Sequence, residues 1–191
     1  MKWHKAETDI HLWLYSADHF YVAARYLYWK GLTQEFAFLG AHAIELYLKA
    51  YLIMKKGSYP EGHELIEIYE ECQKYDEFFK DETLSSYFIT KEDKYTNGTD
   101  WPKYIDAIKY PEPLPKHRDK KSVPYGIILG HSHVSLDQIA SFVRTNIIPS
   151  RTVDYIRELL DKNYCHGELV HVCGSLNEIK EAFLRENDYF K

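Results

Sequence analysis

The sequence lacks the segments that would carry a chain out of the cytoplasm or into a membrane. Its first nine residues, MKWHKAETD, are charged at once and hold no apolar core of a signal peptide. No uninterrupted apolar run approaches the roughly 18 residues of a membrane span. Cysteine is scarce, with three residues and no spacing typical of a disulfide framework. The sequence therefore predicts a soluble, cytoplasmic protein without a membrane contact.

The chain also lacks an excess of positive charge, a convincing strand pattern and an internal repeat. Its formal net charge of -5 argues against a surface covered in phosphate-binding side chains, so any contact with nucleic acid would be local. Hydrophobic residues make up 45% and charged residues 28%, which is ordinary for a globular protein. A length of 191 residues suits one domain, spanning residues 1–191, with a sizeable core.

What the sequence does contain is helical periodicity in most of its length. Apolar residues recur at steps of three and four in the first segment, from Ile10 through Leu14 and Tyr21 to Tyr28. Two long helices joined by a short link must lie antiparallel, so the first two form a hairpin. The sequence predicts an all-α, up-and-down bundle of four or more helices. Helices are predicted at about residues 6–29, 33–56, from 63 onward, 135–148, 151–163 and 175–187.

Between about residues 80 and 133 the periodicity fades, and this stretch holds five of the seven prolines. We interpret it as an irregular segment inserted into the bundle, because long structureless stretches inside compact domains are usually functional or mobile. It carries the one basic cluster, KHRDKK, near several tyrosines. The cations could bind RNA phosphates, or they could belong to a solvated loop. The candidate nucleic-acid contacts are Lys116, Arg118, Lys120 and Lys121.

The second helix is apolar nearly all round, which indicates that it is buried, and its few polar residues share one narrow stripe. At about 100° per residue, His42 and Lys49 project almost onto each other, and Glu45 lies about 60° away. Glu45 and Lys49 are spaced to form an ion pair. Two interpretations remain open: the stripe is the solvated edge of a packed helix, or it faces a ligand or partner.

A short segment near the C-terminal end of the sequence, YCHGELVHVCG, concentrates side chains that zinc prefers. Its spacing matches no familiar zinc module, and cysteine is also a common small core residue. Zinc is accordingly the one metal that the sequence suggests, and no other cofactor is expected. The candidate ligands are Cys165, His166, His171 and Cys173.

The first 80 residues resemble the HEPN family of helical domains. The similarity rests on an Asp in the first helix, a Gly at the turn, an A-x-E-x-x-L-K-A-x-L core and an H-x-L that opens the third helix. The resemblance implies a bundle of four or more helices, commonly dimeric, that works on or near nucleotides or RNA. Some members are ribonucleases, and others accompany a small nucleotidyltransferase. The matching residues here are Asp18, Gly31, Ala43, Glu45, Leu48, Lys49, Ala50, Leu52, His63 and Leu65.

In that family the second helix lies near the dimer seam and the functional cleft. The resemblance therefore implies that His42, Glu45 and Lys49 face a groove shared with His63 or with a second subunit. An imidazole, a carboxylate and a fixed cation within two turns would suit an anionic or nucleotide-like group. These four residues are the predicted ligand-binding site.

The ribonuclease members carry an Arg followed, after about four to six residues, by a His. No arginine of this sequence has that partner; the nearest pair is Arg157 and His166, with eight residues between them. We therefore expect an accessory or conflict-system protein of the toxin–antitoxin kind that binds a nucleotide or RNA rather than cleaving it. Its expected partners are a second copy of the chain and a small nucleotidyltransferase. Two alternatives are a helical oligomerisation adaptor and a metal-dependent hydrolase using residues 165–173.

Overall fold

The structure is a computed structural model, and it describes residues 2–81, Leu84, residues 132–148 and Arg185. This part of the chain is mostly helical, with four α-helices and one pair of very short strands, which confirms the prediction of an all-α bundle. In chain order the elements are β1 (Trp3–Lys5), α1 (Ile10–Trp29), α2 (Thr33–Lys56), β2 (Ser58–Pro60), α3 (Leu65–Cys72), a 3-10 turn (Glu77–Lys80) and α4 (Ser132–Ile147).

Helices α1 and α2 form the predicted antiparallel hairpin. The Tyr47 hydroxyl donates a 2.7 Å hydrogen bond to Asp18, and further along the ring of Tyr28 packs against that of Phe36 at 5.0 Å. Residue numbers rise along α1 as their partners' numbers fall along α2, which defines the antiparallel arrangement. The hairpin sets α2 against the whole length of α1, so that one face of α2 is covered by a long partner.

Helix α2 is the central element of the described bundle, because it packs against α1, α3, α4 and β2. By length and composition, its segment Glu35–Lys56 would also pass as a membrane span, although the sequence holds no uninterrupted apolar run of that length. Most of that segment is buried inside the fold. Its position in the core is therefore enough to explain why this helix is apolar.

A glycine ends α2 and allows the chain to form the strand pair. Gly57 adopts a left-handed conformation, with φ of 68°, and its amide donates to the Ile53 carbonyl at 2.7 Å. The chain then enters β2, which pairs antiparallel with β1. The sequence predicted neither strand, since three residues are too few to show an alternating pattern. It also predicted that the first helix starts near Ala6, whereas α1 begins at Ile10.

Two further boundaries differ from the prediction by a few residues. Helix α3 begins at Leu65 rather than His63, and α4 begins at Ser132 rather than residue 135. Helix α4 thus begins just inside the stretch that was predicted to be the insertion. The rest of that segment, and the helices predicted at 151–163 and 175–187, lie outside the described residues apart from Leu84 and Arg185.

Two buried ion pairs join α1 to α4. Asp18 pairs with the Arg144 guanidinium, and two turns further along α1 the Arg25 Nε lies 3.1 Å from the Asp137 carboxylate. All four side chains are almost completely buried. Each helix carries one acid and one arginine seven residues apart, and the antiparallel packing of the helices brings opposite charges together at both positions.

Two tyrosines complete the hydrogen bonding of these carboxylates. Tyr47 donates to Asp18, and the Tyr21 hydroxyl donates to Asp137 at 2.8 Å. Burial raises the pKa of Asp18, and the opposing effects of Arg144 and Tyr47 do not offset it. Burial likewise raises the pKa of Asp137 to about 7, against the attraction of Arg25. Removal from water is thus the dominant electrostatic effect on both acids.

We expect the stability of the protein to fall as the pH rises from mildly acidic values to about 7, and Asp137 to be one cause. Because its pKa is higher in the folded than in the unfolded chain, its contribution is full below its ordinary pKa of 3.8 and is lost as the pH passes about 7. Between about pH 5 and pH 8 this amounts to roughly 2 to 3 kcal/mol of unfolding free energy. Urea denaturation across that range measures it.

Asp137→Asn should flatten this pH dependence, because asparagine stays neutral throughout. Asp18, whose pKa is raised in the same direction, keeps part of the slope in this variant. Asp9→Asn is the matched control, since Asp9 is an exposed N-cap at the start of α1. If the unfolding free energy of Asp137→Asn falls with pH as steeply as that of the natural chain, Asp137 is not a cause of the pH dependence.

Candidate functional site

The polar stripe predicted on α2 lies on a partly covered face of the bundle, and Glu45 is at its centre. Glu45 is only 2% exposed although it carries a carboxylate. The Lys49 ammonium donates to its Oε1 at 2.7 Å from one turn further along the helix. Lys49 is itself only 4% exposed, so the pair is not a solvated surface ion pair. A buried carboxylate of this kind needs partners on its remaining lone pairs.

His63 supplies one of those partners from outside the helix. The segment after β2 carries it back over α2, just before α3 begins, and its Nδ1 lies 2.7 Å from Glu45 Oε1. A carboxylate can only accept, so Nδ1 carries the hydrogen and donates it. The His63 side chain is 74% exposed. Glu45 therefore orients an imidazole whose second nitrogen, Nε2, is left to contact a ligand.

His42 brings a second imidazole to the same carboxylate. Its Nδ1 lies 3.9 Å from Glu45 Oε2, beyond hydrogen-bonding distance but close enough for attraction when the ring is protonated. The ring packs edge-on against Phe20 of α1, with centroids 4.4 Å apart, and its side chain is about one-third exposed. We call His42, Glu45, Lys49 and His63 the Glu45 cluster. The structure brings all four predicted ligand-binding residues together.

Within the Glu45 cluster, the structure distinguishes a buried ion pair from two imidazoles that reach solvent, a distinction that the sequence did not show. The sequence analysis treated Lys49 as a cation that meets a ligand directly, whereas its ammonium is bonded to Glu45 and almost fully buried. Lys49 and Glu45 balance each other's charge. The imidazoles of His42 and His63 are the groups of the cluster that reach solvent, and an imidazole with hydrogens on both nitrogens is a cation. The arrangement can therefore attract an anion through its two histidines.

Aromatic side chains border the Glu45 cluster. The ring of Tyr59, in β2, has its centroid 6.0 Å from the Lys49 ammonium. Trp13 of α1 packs against Tyr59 at 4.6 Å, and His4 of β1 approaches the same ring at 5.7 Å. All three are half-buried. The strand pair, which the sequence did not predict, is thus what positions an aromatic surface beside the stripe.

Two other predicted sites lie outside the described residues, and their status as predictions is unchanged. One is the basic cluster, Lys116, Arg118, Lys120 and Lys121, and the other is the zinc-type segment, Cys165, His166, His171 and Cys173. Within the part of the chain that the structure describes, no group of three or more His, Cys, Asp or Glu residues could hold a metal ion.

The sequence analysis missed the buried roles of Arg25, Asp137 and Arg144. It considered Arg25 and Arg144 only for a histidine at the ribonuclease spacing, and both turn out to be structural counterions. A signal was available, because the acid and the arginine are seven residues apart both in α1 and in α4. It could be used only once these two helices were known to be antiparallel neighbours.

The antiparallel α1–α2 hairpin, the short α3 and the α4 helix held by buried ion pairs define a helical-bundle domain with a polar cluster on its central helix. A family model described as the HEPN domain matches residues 10–107, which is 98 of the 191 residues. The chain belongs to the HEPN domain family. It is therefore, in general terms, a nucleotide- or RNA-associated helical domain. Searches of curated proteins and of solved structures found no significant match.

Proposed function

We propose that this protein binds a phosphate-containing nucleotide or RNA at the Glu45 cluster and does not cleave it. The observation that carries the proposal is the exposed imidazole of His63, held at Nδ1 by the buried carboxylate of Glu45. With hydrogens on both ring nitrogens, His63 donates from Nδ1 to Glu45 and from Nε2 to a phosphate oxygen, and a fixed ring loses little freedom on binding. His42, whose Nδ1 lies 3.9 Å from the other oxygen of Glu45, brings a second, partly exposed imidazole to the same carboxylate.

Binding without cleavage is supported by the arginines. The family's ribonuclease members use an Arg and a His at a short spacing, and no arginine of this sequence has that partner. Two of the arginines, Arg25 and Arg144, are buried in ion pairs with carboxylates and so are not available to hold a phosphate. The proposed role is that of an accessory protein in a conflict system, acting with a second copy of itself and a small nucleotidyltransferase.

The proposal predicts that the full chain binds a fluorescently labelled single-stranded RNA oligonucleotide, measured by anisotropy. His63→Ala should weaken binding about tenfold, because a hydrogen bond to a charged group is lost. Glu45→Gln should weaken it as well, since a neutral amide oxygen holds the ring less strongly than a carboxylate does. His11→Ala is the matched control, because His11 is an exposed histidine near the start of α1.

The same RNA should remain intact after incubation with the protein in the presence of a chelator. Equal binding by the natural chain and His63→Ala would contradict the proposed site. Robust cleavage that is lost in His166→Ala would contradict the absence of nuclease activity, and would show that the wider Arg157–His166 spacing is used.

An oligomerisation adaptor is the second candidate, and one observation favours it. Helix α1 exposes two large apolar side chains one turn apart, Leu12 at 59% and Tyr15 at 51%. Such a surface suits contact with a second copy of the chain. An adaptor without a ligand would give no RNA binding in the experiment above, so the same measurement separates the two functions.

A further inference from the structure

The half-buried aromatic pair beside the Glu45 cluster has a fixed geometry. The Trp13 and Tyr59 rings are inclined at 55° with centroids 4.6 Å apart. The Trp13 indole nitrogen donates to the Thr8 hydroxyl at 2.9 Å, so the one polar atom of this ring already has a partner. What Trp13 can offer a ligand is therefore its π face, presented on a ring that is held in place.

The aromatic pair and the exposed imidazole both lie next to one buried ion pair. The Lys49 ammonium is 6.0 Å from the centre of the Tyr59 ring, and it is bonded to the same carboxylate oxygen that holds His63. A π surface and a phosphate-attracting group therefore both border the same buried ion pair. This juxtaposition distinguishes the pair from the aromatic rings of the core.

The core rings offer a clear contrast. Phe79 is fully buried and packs against Phe78, Tyr69 and Phe142, where the bundle closes around α3 and α4. Those contacts fill the interior. Trp13 and Tyr59, by contrast, remain partly exposed next to the exposed imidazole of His63.

We propose that Trp13 and Tyr59 form a stacking surface for the base of the nucleotide whose phosphate His63 and His42 attract. This inference rests on the proposed function and names its ligand class, a nucleoside 5′-phosphate or a single-stranded RNA segment. Every base has a π face, so stacking tolerates all four bases and gives little sequence preference. Aromatic stacking next to phosphate contacts is how proteins commonly recognise unpaired RNA.

The test compares two small probes by calorimetry on the full chain, ribose 5-phosphate and adenosine 5′-phosphate, which differ by the base. Adenosine 5′-phosphate should bind about 5- to 150-fold more tightly, the range that one stacked base contributes. Tyr59→Leu and Trp13→Leu keep apolar bulk but remove the aromatic face. Each should reduce this ratio and leave the affinity for ribose 5-phosphate unchanged. Tyr75→Leu is the matched control, a partly exposed tyrosine that follows α3.

The outcomes separate this inference from the proposed function. If both probes bind equally and His63→Ala weakens both, the phosphate site stands and the stacking surface is wrong. If adenosine 5′-phosphate binds more tightly but neither leucine variant changes the ratio, the base lies elsewhere and the inference is overturned. If neither probe binds, or if His63→Ala has no effect, the proposed function itself fails.

Discussion

Arg144→Met is expected to lower the free energy of unfolding by about 3 to 5 kcal/mol. The substitution leaves the Asp18 carboxylate buried without its counterion, and taking an unpaired charge out of water is far more costly than losing a surface ion pair. Urea denaturation followed by circular dichroism measures the change. Lys74→Met is the control, because Lys74 forms an exposed pair with Glu71, and its loss should cost less than about 1 kcal/mol.

A second variant keeps this prediction testable even if Arg144→Met fails to fold. Replacing the whole group, as Asp18→Leu with Tyr47→Phe and Arg144→Met, removes the charges together with the hydroxyl that donates to Asp18. Buried ion pairs can often be replaced by apolar residues of similar size at little cost. The triple variant should therefore be more stable than Arg144→Met alone. A loss below 1 kcal/mol for Arg144→Met would show that this pair is not desolvated.

Leu48→Ala is expected to cost about 2 to 5 kcal/mol of unfolding free energy. Leu48 is completely buried on α2, the helix against which α1, α3 and α4 pack, so the missing carbons would leave a cavity in the core. Leu12→Ala makes the same chemical change on α1 at a side chain that is 59% exposed, and it should stay within about 0.5 kcal/mol. Thermal and urea unfolding of both variants provide the comparison.

Similar losses in Leu48→Ala and Leu12→Ala would mean that α2 is not the central helix. If Leu48→Ala loses much unfolding free energy and Leu12→Ala loses none, the packing of α2 is a main source of the protein's stability. Neither substitution touches the Glu45 cluster, so RNA binding by the folded fraction should be unchanged in both.

Helical periodicity was sufficient to predict the hairpin and the four helices that the structure describes, to within a few residues at their ends. Steps of three and four in the apolar residues of α1 and α2 depend on local geometry, which the chain carries with it wherever it packs. The short link between these helices left only the antiparallel arrangement. The strand pair was missed because its hydrogen bonds join Trp3–Lys5 to Ser58–Pro60, residues far apart in the sequence. Nothing in either three-residue segment shows that the other exists.

The sequence also determined that His42, Glu45 and Lys49 share one side of α2, since projection along a helix requires no knowledge of its neighbours. This projection does not show whether the stripe is in contact with solvent. The tertiary structure decided it by packing α1 and the β2 segment around Glu45, which buries the ion pair with Lys49 and leaves His63 exposed.

The charged residues of α1 and α4 show most clearly what the sequence determines and what the tertiary structure decides. The sequence places Asp18 and Arg25 seven residues apart, and Asp137 and Arg144 likewise, so each helix carries both charges on one side. Taken singly, such residues are expected at the surface. Only the antiparallel packing of α1 on α4 pairs each acid with an arginine of the other helix, across more than a hundred residues of chain. Burial and pairing are properties of the partner as much as of the residue, and local sequence therefore cannot specify them.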